Sequence, residues 1–138
     1  MKNYRTIFVV FLALNFWGCN LFESTDSPRA TLKNYVESSQ KKDAAAIKET
    51  LSAGTLKMIE ESARSRNTTL DAVLTTDAGG GSAYKQLPET RNEKIEAETA
   101  TLEVKNAATA DWDKIPFVRE DGKWKIALDK FLDEALKR

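Results

Sequence analysis

Histidine is absent from all 138 residues, and cysteine occurs once, at Cys19. The first absence excludes Ser-His-Asp and Cys-His nucleophilic systems. The two together exclude zinc sites built on His and Cys. A lone thiol forms no intramolecular disulfide, so the domain must fold on its core alone. An excess of one charge is missing too, with 21 basic against 21 acidic residues and no basic run longer than Lys41-Lys42. Nucleic-acid binding rests on a basic patch, and this chain offers no such case. No cofactor is called for by any motif. Long apolar runs are also scarce. The one at Ile7 to Leu14 is too short for a bilayer span of ~20 residues, and Asn15 and Gly18 interrupt its extension.

What is present at the N-terminus has another use. Lys2 and Arg5 precede the apolar run, and no acid appears before Glu23. That is the pattern of a secretory leader. The run stops at Phe16-Trp17-Gly18-Cys19, which resembles the lipobox of bacterial lipoproteins. Gly18 fits the small residue before the cleavage point, whereas Phe16 and Trp17 depart from the aliphatic and small residues usual there. The resemblance implies a signal peptide at 1–18, a diacylglycerylated Cys19, and a lipidated tether at 19–27. Several acyl chains hold a protein to a bilayer, at ~0.8 kcal/mol per buried methylene. Removing the leader leaves 19 basic and 21 acidic residues, a formal charge of −2. Asn20 rather than Asp after the cysteine implies, in a Gram-negative cell, the outer membrane facing the periplasm.

Residues 28–138 have the length of one domain. Its first half reads as helices. Ser27 caps and Pro28 begins the first, with Leu32, Tyr35, Val36 and Ser39 on one face. Asp43 caps a second through Ile47 and Leu51, which Gly54 is expected to end. Thr55 is expected to cap a third, with Leu56, Ile59 and Ala63 inward and Asn67 as its stop. Thr69 begins a fourth with Leu70, Val73 and Leu74. The glycines of Ala78 to Ser82 then break the pattern, as a connection between helices and sheet.

Beyond them the period becomes two. Lys94 to Ala97 and Ala100 to Lys105 alternate in opposite parity, which predicts a hairpin turning near Glu98-Thr99. Asp121-Gly122 predicts a second two-residue turn. Its register faces Arg119 with Trp124, Phe117 with Ile126 and Ile115 with Leu128, and Arg119 beside Trp124 forms a cation–π pair. Glu96, Glu103 and Glu120 fall on the polar face, and Trp112 with Asp111 and Asp113 falls in a loop. Asp129 to Arg138 reads as a terminal helix. The fold class is therefore α+β.

Three stretches, ATLKNYVESSQKKDAAAIKETLS, ARSRNTTLDAVL and FVREDGKWKIAL, resemble bacterial lipoproteins with a small domain of the cystatin-like, nuclear-transport-factor-2-like superfamily. The resemblance implies a curved antiparallel sheet wrapped around helices as a cone. The acylation signal, the curved-sheet pattern and the missing nucleophiles and metal ligands point to a lipid-anchored envelope protein acting as a binding or interaction module rather than an enzyme, with an envelope protein or a small apolar ligand as partner. Tyr35, Tyr84, Arg119 and Trp124 are the candidate pocket or rim residues. The alternative is a small isomerase- or dehydratase-like enzyme acting on an apolar ligand inside the cone. Such an enzyme needs a carboxylate raised by burial, with Tyr35 or Tyr84 as donor.

Overall fold

The computed structural model describes residues 26–76, 84 and 86–131. The leader, Cys19, the glycine run and residues 132–138 lie outside them. Among the described residues, four helices precede a four-stranded antiparallel meander in the order β1-β2-β3-β4. The helices are α1 (Pro28–Gln40), α2 (Ala44–Thr50), α3 (Ala53–Ser65) and α4 (Leu70–Thr75). The strands are β1 (Thr90–Glu96), β2 (Thr99–Lys105), β3 (Trp112–Glu120) and β4 (Lys123–Ile126). The architecture is α+β, as its two periodicities require.

Side-chain caps start α1, α2, α3 and α4. Ser27, Asp43, Ser52 and Thr69 each accept the backbone N–H three residues on, which satisfies a donor the helix leaves free. Two helices end in a shared geometry without glycine. Lys42 and Asn67 adopt φ of 55° and 53°. After α1, the N–H groups of Lys42 and Asp43 donate to the carbonyls of Ser39 and Ser38. After α3, those of Asn67 and Thr68 donate to Arg64 and Ala63. Both are Schellman closures. Asp43 thus closes α1 and caps α2.

The α2–α3 boundary differs from the sequence reading. Gly54 does not end α2, and Thr55 does not cap α3. Leu51 leaves the helix in extended conformation and bridges Ile126 in parallel. Ser52 then donates its N–H to the Ile126 carbonyl at 3.0 Å and becomes the cap. Pairing with the edge of β4 has overridden the local stop signal, and Gly54 sits inside the first turn of α3.

Strand register follows the alternation closely. Glu120 pairs with Lys123, Arg119 with Trp124 and Phe117 with Ile126. Asp121 and Gly122 hold φ of 51° and 74°, as this turn demands. Ile115 does not pair with Leu128, because β4 stops at Ile126 and a helical turn covers 128–131. That turn starts one residue earlier than expected, and Phe131 on it is 42% exposed. The first hairpin turns at Ala97-Glu98, since Glu96 pairs with Thr99. Trp112 and Asp113 belong to β3 rather than to a loop.

Ile95 is the other departure. It pairs with buried Ala100 and so lies on the helix side, yet it is 53% exposed. Between Arg91 and Lys94 the register shifts by a bulge, where Asn92 has φ 51°. Helix α1 meets β1 near Glu93, with Arg29 Nε 3.8 Å from its carboxylate, and leaves Ile95 uncovered.

The core fills the space between layers. Leu32, Tyr35 and Val36 of α1 and Ile47 of α2 meet Leu102, Val104, Phe117, Trp124 and Ile126 of the sheet. Burial of each such aliphatic or Phe side chain contributes ~1.5–3 kcal/mol. Thr31 adds a buried hydrogen bond, donating to the Trp124 carbonyl at 3.1 Å. Among the described residues no helix is long and apolar enough to cross a membrane.

Candidate functional site

The four candidate pocket residues separate into two pairs. Arg119 and Trp124 stand at the hairpin end of the sheet, with Arg119 Cζ 4.7 Å from the indole centroid. Arg119 Nη2 also reaches Asp26 Oδ2 at 3.1 Å. The arginine therefore ties the start of the domain to its last hairpin. Trp124 is 3% exposed, and neither its Nε1 nor Arg119 Nε has a hydrogen-bond partner among the described residues. A groove of about 680 Å³ opens here between α1, α2 and the hairpin, bordered by Asp26, Glu37, Glu49, Lys123 and Trp124.

Tyr35 and Tyr84 form the second pair. Burial pushes the Tyr35 phenol up, the neighbouring Ser39 opposes the shift, and Tyr84 nearby adds to the rise. Burial also raises Tyr84, with Asp113 adding to it. Both phenols stay protonated at neutral pH and act as donors, not bases. Asp113 and Arg119 are six residues apart on β3, roughly 20 Å at strand rise. Trp124 borders the groove at the hairpin, whereas Tyr84 borders a separate groove with Leu87, Pro88 and Asn106.

Phe117, Trp124, Ile126 and the helix faces occupy the interior. No described Asp or Glu is buried. The two carboxylates with displaced pKa values, Glu103 and Asp129, are both lowered, opposite to what a general acid requires. No cluster of three or more metal-ligating side chains occurs among the described residues.

Two groupings were not foreseen from the sequence. At the start of α3, Ser52 Oγ and Thr55 Oγ1 donate to Asp129 Oδ1 at 3.1 and 3.0 Å. The Leu128 N–H donates to Thr55 Oγ1 at 2.8 Å. Desolvation raises the Asp129 carboxyl, but the bonds from Thr55 and Ser52, with Lys130 beside them, outweigh it and hold it below the usual range. Glu120 supplies a second carboxylate, accepting the Ala53 N–H at 3.0 Å. Both anions suit a helix N-terminus.

The second grouping lies on the sheet face turned away from the core. Arg91 Cζ stacks 3.9 Å from the Trp112 centroid. Arg91 Nε also donates to Glu103 Oε2 at 2.6 Å, and Asn92 donates to the same oxygen at 3.0 Å. These bonds, Arg91's first, hold the Glu103 carboxyl low. The signal was available in parity: Lys114 and Trp112 alternate with the core residues Ile115 and Phe117.

No family model, no curated protein and no solved structure matches the chain. The site geometry is therefore the ground for any functional reading.

Proposed function

We propose that this chain is a lipid-anchored protein of a bacterial cell envelope. Its domain, of the cystatin-like or nuclear-transport-factor-2-like cone type, acts as a binding or interaction module without catalysis. Cys19 carries the lipid, the tether runs to residue 27, and in a Gram-negative cell the domain faces the periplasm from the outer membrane. The partner is an envelope protein met through the outside of the domain. The observation that carries this reading is the filled interior. Leu102, Val104, Phe117 and Ile126 are each at most 3% exposed, which leaves recognition to surfaces and grooves. The lipobox-like Phe16-Trp17-Gly18-Cys19 supports the anchor.

Replacing Cys19 with Ser tests the anchor. The variant is expected in soluble fractions or as an unprocessed precursor, and mass analysis of the natural product is expected to find acyl chains on Cys19. A free thiol on an intact leader overturns the proposal. Crosslinking in the native membrane followed by mass spectrometry identifies the protein partner.

A further inference from the structure

The sheet's outward face collects positive charge that the sequence disperses. Register places Arg91, Lys94, Lys105, Lys114, Lys123 and Lys125 on it. Three acids, Glu96, Glu103 and Glu120, share the face. Two of them are already engaged, Glu103 by Arg91 and Asn92 and Glu120 by the Ala53 N–H. Lys105 and Lys125 are held by Glu89 and Glu49. Lys94, Lys114 and Lys123 are exposed and form no salt bridge within 4 Å among the described residues, although Lys114 faces Glu103 and Lys123 faces Glu120 across the ladder. Lys94, Lys114 and Lys130 border a groove of about 420 Å³, to which Thr101, Pro116 and Val118 also contribute. At one end of the face stands Trp112 under Arg91, an amphipathic ring of the kind that sits at headgroup level.

We propose that this face rests on an anionic bilayer, with Lys94, Lys114 and Lys123 at the headgroups. The inference builds on the anchor at Cys19. Six residues, 20–25, lie between Cys19 and Asp26, and the seven Cα steps span at most roughly 25 Å. A domain of this size has a radius of gyration near ~13 Å, so the tether keeps it within about one diameter of the membrane. Charge complementarity then selects the face. A formal charge of −2 on the processed chain gives no overall attraction to anionic lipid. This face is the part that is attracted, and each lysine held at such a surface favours contact by about fivefold. The field decays over ~8–10 Å in salt, so contact has to be close.

Lysine labelling on vesicles tests the arrangement. The full-length lipidated product, purified from its own membrane, is bound to phosphatidylcholine vesicles or to vesicles containing phosphatidylglycerol. It is then acetylated briefly and read by mass spectrometry. Labelling of Lys94, Lys114 and Lys123 is expected to fall about fivefold on the anionic vesicles, with Lys33 and Lys57 unchanged, and to recover in high salt. The Lys94→Glu/Lys114→Glu variant is expected to lose the protection at Lys123. Equal labelling on both vesicles removes the face and spares the anchor. Failure to sediment with neutral vesicles removes the anchor and this arrangement with it. Protection by soluble polyglutamate but not by anionic vesicles assigns the face to an acidic protein and overturns the proposal.

Discussion

The carboxylate of Asp129 occupies the space in which a side chain on Gly54 would stand. A Cβ built there lies 2.7 Å from Asp129 Cγ. Glycine inside a helix costs ~1 kcal/mol relative to alanine, so Gly54 is kept for the contact rather than for the helix. Gly54→Ala is expected to lower unfolding stability by about 1–2 kcal/mol, because displaced hydrogen bonds outweigh the propensity gain. In an Asp129→Ala background the same change is expected to stabilise. Urea denaturation of the four proteins reads the reversal of sign.

Asp129 also sets an acid dependence. Its folded pKa lies below its ordinary value, so its contribution is complete above the unfolded pKa of ~3.9. It is lost as pH falls through the folded value. Thermal melts between pH 6 and pH 3 are expected to decline less steeply for Asp129→Asn than for the parent. The variant is expected to start from a lower stability at pH 6.

Lys42 closes α1 at φ 55° and is exposed. A side chain in that conformation is strained, and glycine is not. Lys42→Gly is expected to stabilise the domain by about 0.5–1 kcal/mol, seen as a higher denaturation midpoint. Gly122→Val has the opposite sign. Nothing lies within 4 Å of the added Cβ, but φ is +74°, so its loss of melting temperature isolates backbone strain from crowding.

Arg119 joins Trp124 and Asp26 through two different forces. Arg119→Met is expected to destabilise by about 1 kcal/mol, mostly through the lost cation–π contact. The exposed Asp26 pair adds a smaller part that salt screens. Denaturation in low and high salt separates the two.

Local chemistry made much of this fold legible. The caps at Ser27, Asp43 and Thr69 and the turn at Asp121-Gly122 are set by nearby residues, and they stand where the sequence puts them. The Arg119–Trp124 stack follows from register alone. What escaped the sequence depends on distant partners. Leu51 and Ile126 are 75 residues apart, and their bridge sets the helix boundary ahead of Gly54. Ile95 has the right parity but no helix above it. The basic face escaped because its side chains come from four strands, with no two of them adjacent in the chain. Of the candidate pocket or rim residues, Arg119 and Trp124 meet at the hairpin, and Tyr35 and Tyr84 lie near each other.

The bulge at Asn92 has a consequence for assembly. It bends β1, an edge strand of the described sheet, and interrupts the straight row of main-chain donors and acceptors that another sheet would copy. Copies of this protein packed at high density are thereby guarded against zipping margin to margin into fibrils. Straightening that kink would expose a template for polymerisation.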